Sequence, residues 1–319
     1  MNRALWPFLA SRVIRTLITM WLGVTLIFFA IRVVPGDPAE AVLGHQSTLE
    51  GLATLRRQMG LDQSLWVQYV QMLGKLVQGD LGLSLVVGQP ISQMILQVAP
   101  FTALVVVGAL LIGVGIGIPL GIAAATARNS PIDYAARLLS LTGLVIPGFV
   151  IGILLMLPFS VWLGWFPVVG GGERGDWGSL LRFAVLPSAA GGVGMAAYLT
   201  RLTRSVVLEL LREDYVRTAR AKGLSERWIL YKHVLRNALI PIVTFIGFYA
   251  IIMIGDSIAI EIVFSRPGFG RLILGGLAQR DYVLLQSVLL TYVLLAALIN
   301  FVVDILYTWI DPRVRMAEF

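Results

Sequence analysis

Few residues in this 319-residue chain are of types that do chemistry, and their placement rules most of it out. There is no cysteine, which excludes disulfides, Cys-type zinc sites and thiolate nucleophiles. The two histidines, His45 and His233, are too few for a multi-His metal centre and lie in separate polar segments. Gly113-Val-Gly-Ile-Gly117 has the glycines of a phosphate loop. It lies inside an apolar run, and no lysine follows it. With Gly121 it forms a double Gly-xxx-Gly, a spacing that lets two helices approach closely. No Gly-x4-Gly-Lys-Ser/Thr occurs anywhere, so energy from a nucleotide must come from another polypeptide. One carboxylate stands apart. Asp256 sits between Gly255 and Ser257 inside an otherwise apolar stretch, where an ionisable group is expensive and marks either a solute path or an ion pair. Asp256, Ser257 and the helix-bending Pro147 are therefore the candidates for lining a path, with an arginine partner or an interfacial position in contact with water as the alternatives for Asp256. Glu261 reads as structural.

The elements that must hold these residues are membrane helices. The chain is 57% hydrophobic and 13% charged. A soluble domain has roughly 45–50% and about 25%. A bilayer core needs about 20 apolar helical residues. Stretches without Asp, Glu, Lys or Arg run over 101–127, 138–172, 183–200, 237–255 and 282–303, and a shorter one, 16–31, is bracketed by Arg15 and Arg32. These predict six spans, the third ending near Leu163. Arg15 and Arg32 are expected to snorkel, Pro147 and Pro158 to kink the third span, and Trp162, Trp165 and Phe166 to form an aromatic belt. The basic, then apolar, N-terminus also has the look of a secretory signal, but no small-residue cleavage pattern follows Ile31. No internal repeat is evident, and a secondary carrier would need several buried ionisable groups for ion coupling where only Asp256 stands out.

Orientation follows from charge. Sixteen of the 25 basic residues fall in the N-terminus, 128–137, 201–236 and the C-terminal tail. The positive-inside rule makes those segments cytoplasmic, with both termini inside. The net charge of +7 is thus topological and implies membrane lipid, not nucleic acid, as its surroundings. The outer loop from Val34 to Pro100 holds two helical patterns, 49–59 and 65–77. In the second, Leu65, Tyr69, Met72, Leu73 and Leu76 recur at helical spacing.

The inner loop after Thr200 is the most informative segment. Glu209, Glu213 and Asp214 precede a short helix that Arg217, Arg220 and Lys222 close, a polarity matching the helix dipole. Glu213 and Arg217 have i,i+4 spacing. Gly223 stands where a C′ glycine stops a helix, and Ser225 can cap a second helix running into the fifth span. The result is a short helix, a glycine elbow and a helix continuous with a membrane span, a shape suited to passing force from a soluble partner into the membrane.

This loop resembles the cytoplasmic coupling loop of binding-protein-dependent ABC importer permeases, whose Glu-Ala-Ala triplet falls on Arg217, Thr218 and Ala219, with the following Gly at Gly223. It is closest to the dipeptide/oligopeptide/nickel permease branch, which has wording like Asp214-Tyr-Val-Arg-Thr-Ala-Arg-Ala-Lys-Gly-Leu224 and His233-Val-Leu-Arg-Asn-Ala238. Arg32-Val-Val-Pro-Gly-Asp-Pro38, Gly60-Leu-Asp-Gln63, Val67-Gln-Tyr69, Gly79-Asp-Leu-Gly82, Glu261-Ile-Val-Phe264, Pro267-Gly-Phe-Gly270, Arg280-Asp-Tyr282 and Asp311-Pro-Arg-Val-Arg315 extend the resemblance along nearly the whole chain. The long outer loop is similar to that of the first of the family's two permease subunits.

The resemblance implies an all-α, six-span type I importer permease fold. Residues 1–34 would be the tail and first span, 35–100 an extracytoplasmic loop with short helices, and 101–319 a five-helix core containing coupling loop 205–236. It implies no catalytic residue or metal in this chain, with ATP and Mg on two partner ATP-binding subunits docked at Tyr215, Thr218, Ala219, Ala221 and Gly223. A second homologous permease and an extracytoplasmic substrate-binding protein complete the expected assembly, in a bacterial inner membrane. Peptides are the expected cargo; nickel chelates, glutathione and oligosaccharides are the alternatives.

Overall fold

The computed structural model describes residues 5–33, 39, 48–58 and 60–310. His45, most of the Arg32–Pro38 motif, the Asp311–Arg315 motif and both termini lie outside the described residues. Among the described residues there is no strand; a single isolated bridge pairs Leu83 with Pro90. The helices are α1 (Leu5–Val33), α2 (Leu49–Gln58), α3 (Leu65–Val77), α4 (Ile91–Thr126), α5 (Pro131–Val145), α6 (Gly148–Met156), α7 (Trp177–Leu210), α8 (Asp214–Ala221), α9 (Glu226–Trp228), α10 (Leu235–Val263), α11 (Phe269–Ala278) and α12 (Tyr282–Ile310). Five helical stretches are long and apolar enough to cross a membrane, and a sixth span arises if one bent pair counts as one.

That bent pair is the expected third span. Instead of one kinked helix, α5 and α6 meet at 106°. The cause is Pro147. The residue before a proline is pushed out of the helical region, and Ile146 accordingly has ψ 121°, with Pro147 itself at ψ 143°. Pro158 lies in a wider, π-helical turn, Leu157–Trp162, that continues α6. A similar turn, Ile229–Val234, joins α9 to α10, so 226–263 is one long helical stretch. The helix that carries the second candidate span begins at Ile91 and runs to Thr126.

The chain forms two compact units. The first comprises Met1–Ile14, Phe101–Arg266 and Leu298–Phe319, with α7 at its centre and α5, α6 and α10 packed on it. Small residues make this possible: Ala190, Gly191, Gly192, Ala196 and Ala197 lie along the buried side of α7. The Gly-xxx-Gly of α4 packs against the same helix. A Cβ on Gly117 would lie 2.7 Å from the Leu199 Cβ and 2.8 Å from the Ala196 carbonyl oxygen, and one on Gly121 would lie 2.7 Å from the Thr200 carbonyl oxygen. No side chain fits there.

The second unit comprises Arg15–Pro100 and Pro267–Ala297. Its core joins Ile91, Ile95, Phe269, Leu284 and Val288. Helix α3 turns Tyr69 inward; the Tyr69 and Thr25 hydroxyls lie 2.7 Å apart, and the Tyr69 ring meets Phe28 edge-on. Arg32 is half-buried. Its guanidinium lies 3.3 Å from the Phe28 ring centroid, donates to the Phe28 carbonyl and donates twice to Gln68 Oε1. Asp281 is buried as the cap of α12, accepting from the Leu284 amide (3.0 Å) and the Ser84 hydroxyl (2.6 Å). Asp80 accepts from the Gly82 amide and shapes the turn between α3 and α4. These motif residues are architectural within this unit. Helix α11 was not foreseen, though Phe269, Leu272, Ile273 and Gly276 carry its helical period.

Candidate functional site

The inner loop folds as an elbow. Helix α8 is amphipathic, with Val216 and Ala219 buried against the turn at Ile229–Val234 and the remaining residues exposed. Its end is a Schellman motif. The Gly223 amide donates to the Arg220 carbonyl at 2.9 Å, and the Leu224 amide donates to the Ala219 carbonyl at 3.3 Å. Gly223 itself is at φ +79°, the left-handed region that favours glycine, and a Cβ there would meet nothing within 4 Å. The requirement for glycine is therefore conformational and not steric. Ser225 then caps α9 by accepting from the Trp228 amide. Arg220 closes the elbow from outside, donating from Nε and Nη2 to the two oxygens of Glu226 at 2.7 and 3.1 Å. That contact raises the guanidinium's pKa above its ordinary value. Both groups are exposed, so the pair contributes about 0.2–1 kcal/mol. The expected Glu213–Arg217 pair is not formed; Arg217 reaches Asp214 instead, at 3.4 Å on the exposed face.

Of the expected docking residues, Tyr215, Thr218, Ala221 and Gly223 are on the outer surface of the elbow, and Ala219 is on the inner face against the chain itself. Tyr215 is held by a hydrogen bond donated from Asn237 Nδ2, and the Thr218 hydroxyl donates to the Asp214 carbonyl. The exposed surface continues into Leu224, Trp228 and Tyr231, of which Trp228 and Tyr231 are 51% and 66% exposed. Sequence reading passed over these two aromatics. Their signal was available: two large rings three residues apart in a basic, non-membrane segment.

The path candidates are not brought together. Asp256 is exposed on α10 and makes no hydrogen bond or ion pair with any described residue. Ser257 is fully buried and donates to the Ile254 carbonyl. Pro147 is exposed at the α5–α6 break. One helical turn and more from Asp256, Tyr249 packs with Tyr198 and Phe245 in an aromatic group with ring centroids 5.6–5.9 Å apart. Glu261 is fully buried and accepts a 2.5 Å hydrogen bond from Thr102. Arg266, five residues on, is also fully buried, with its guanidinium over the Phe101 ring and none of the three guanidinium nitrogens hydrogen-bonded. Burial lowers its pKa to about 10, opposed by the charge of Glu261, so it stays protonated at neutral pH.

A second charged cluster was missed. Asp133 on α5 is fully buried. It accepts from Arg204 Nε (2.6 Å) and Nη2 (2.9 Å), from Arg137 Nη2 (2.9 Å) and from the Asn129 amide (3.0 Å). The bidentate contact ties α5 to α7. The i,i+4 spacing of Asp133 and Arg137 is its one sequence signal, hidden when charged residues are read only as ends of spans. Among the described residues no group of His, Asp or Glu could hold a metal ion.

The described chain is thus a helical bundle built on small-residue packing, with a capped elbow between α7 and the long stretch 226–263. Residues 117–316 match the family Binding-protein-dependent transport system inner membrane component, and residues 5–105 match its N-terminal companion. The chain belongs to this family, as a permease subunit of a binding-protein-dependent ABC importer. It is 39% identical over 308 residues to the Glutathione transport system permease protein GsiC of Salmonella typhimurium, covering 97% of this chain and 98% of that protein. The Escherichia coli K12 protein of the same name is 38% identical over the same length. Among solved structures, the inward-facing MetNI methionine ABC transporter matches with a TM-score of 0.56 and 21% identity, over 69% of this chain and 97% of that one. At that identity the likeness concerns the fold, and it agrees with the type I permease architecture expected.

Proposed function

We propose that this subunit carries short peptides or peptide-like solutes into the cytoplasm by alternating access, driven by ATP hydrolysis on two partner subunits seated on the α8 elbow. The observation that carries the reading is the elbow itself: a short helix whose end is set by Gly223, presenting Tyr215, Thr218, Ala221, Leu224 and Trp228 outward and anchored inward by Val216 and Ala219. A second, homologous permease would complete the pore, and an external binding protein would deliver the solute. The basic loops and both termini would face the cytoplasm. Glutathione is a tripeptide, and the relatives named for its transport support a peptide-like cargo. Asp256, exposed on α10 and unpaired among the described residues, would face the path and attract an ammonium group.

The test is co-purification with the products of neighbouring genes, followed by uptake into proteoliposomes with ATP on the side of the ATPases. ATP-dependent accumulation of glutathione or short peptides, dependent on the binding protein, is expected. Transport by this chain alone without ATP would overturn the reading, and uptake confined to oligosaccharides or nickel chelates would overturn the cargo.

A further inference from the structure

Where α5 and α7 meet beside the Asp133 cluster there is a cavity of about 310 Å³, lined by Ala136, Arg137, Ser140, Leu141, Thr200, Arg201, Arg204 and Ser205. One water needs about 10–15 Å³ of such space, so the cavity has room for a polyatomic group. Its charge is unbalanced. Three arginines, Arg137, Arg201 and Arg204, line it, and the neighbouring carboxylate of Asp133 pairs with only two of them, Arg137 and Arg204. Asp133 satisfies Arg204 twice and Arg137 once. Arg137 Nε is buried with no hydrogen-bond partner, and Arg201 makes no ion pair with any described residue. The Ser205 hydroxyl is exposed at the same wall. Guanidinium forks and hydroxyl donors converging on one concavity are the chemistry that recognises a phosphate.

The surroundings are those of a membrane-facing surface. Leu138, Leu139 and Leu141 on α5 are 65%, 64% and 54% exposed, and Leu141 also lines the cavity. A bound group can therefore place a charged head among the arginines and acyl chains along the leucines. Basic pockets between transmembrane helices bind anionic headgroups in this way. We propose that this cavity is a binding site for a phosphate group, supplied by the phosphodiester of an anionic phospholipid and independent of the solute transported. A free phosphate ion has the same head chemistry without the chains.

Native mass spectrometry of the purified full-length chain separates these sources, with phosphatidylglycerol, phosphatidylcholine and inorganic phosphate as probes. Phosphatidylglycerol should give a retained one-lipid adduct. Arg201→Gln should weaken it about fivefold, the effect of one basic residue near an anionic headgroup. Ser205→Glu should weaken it further, and Arg212→Gln, outside the cavity, should leave it unchanged. Both cavity substitutions are at exposed positions and spare the Asp133 contacts. Equal retention of phosphatidylcholine, or an adduct as strong in Arg201→Gln and Ser205→Glu as in the wild type, would overturn the proposal. Displacement of the lipid by millimolar phosphate would assign the site to the free ion and overturn the lipid source.

Discussion

Replacing Gly223 is the most direct probe of the elbow. At φ +79° an L-residue costs roughly 1–2 kcal/mol from its own Cβ and carbonyl. A methyl group there would meet nothing within 4 Å, so Gly223→Ala should suffer only that cost. Gly223→Asn should be milder, because asparagine visits this region more readily. Gly223→Pro is different in kind. Proline fixes φ near −65° and removes the amide that donates to Arg220, so the Schellman closure cannot form and α8 must leave its present angle. Apart from Val216 and Ala219, α8 is exposed, and it is only eight residues long, so the bundle should still fold. The assay is reconstitution with partner subunits, measuring uptake and ATP hydrolysis side by side. The expected order of uptake is Gly, Asn, Ala, Pro, with Pro abolishing uptake while monodispersity and thermal unfolding stay near wild type. Full uptake by Gly223→Pro would refute the claim that the elbow's geometry transmits the stroke.

Gly117→Val should lower thermal stability by at least about 1–3 kcal/mol, because a side chain there collides with the α7 backbone; Gly115→Ala, with open space around it, should be near neutral in the same melt. Asp133→Asn should destabilise by about 2–3 kcal/mol in detergent unfolding. That is less than the roughly 3–5 of a fully buried broken pair, since Arg204 and Arg137 are themselves partly exposed. Asp256→Asn should leave the melting temperature unchanged, as the carboxylate has no partner to lose, and should reduce uptake of cationic peptides more than neutral ones; equal reduction would demote Asp256 from the path.

What could be read from residues alone was whatever depends on local chemistry. The spans follow from the missing charge, the elbow from Gly223 and Ser225, and helix α3 from the period of Tyr69, Met72, Leu73 and Leu76. What could not be read depends on partners distant in the chain. That Arg32 would meet Gln68, 36 residues away, and the Phe28 ring could not be read from its neighbours. Pro147 announced a bend but not its size. A kink of a few tens of degrees and a break of 106° begin with the same lost amide and the same push on Ile146, and the difference lies in what α6 then packs against, which is α7.

Asp133 shows why charge patterns mislead in a membrane chain. Counting charges as span ends places it in a loop, yet it is fully buried because Arg204, 71 residues later, delivers a bidentate fork to it. A buried carboxylate with one partner would be costly; with two guanidinium groups and a backbone amide it becomes a fixed joint. That joint sits on the last turns of α7, and the chain leaves α7 at Leu210 to begin the elbow at Asp214. A lever needs a fulcrum that does not slip. Hydrophobic packing in a bundle of small residues gives close approach but resists sliding weakly, whereas a bidentate ion pair is directional and holds register. In the coupling proposed above, motion of α8 delivered through the end of α7 would be passed to α5 along with it. The sequence features that look least like a site, one aspartate and one arginine at the margins of two spans, are those that would hold register in the coupling proposed above.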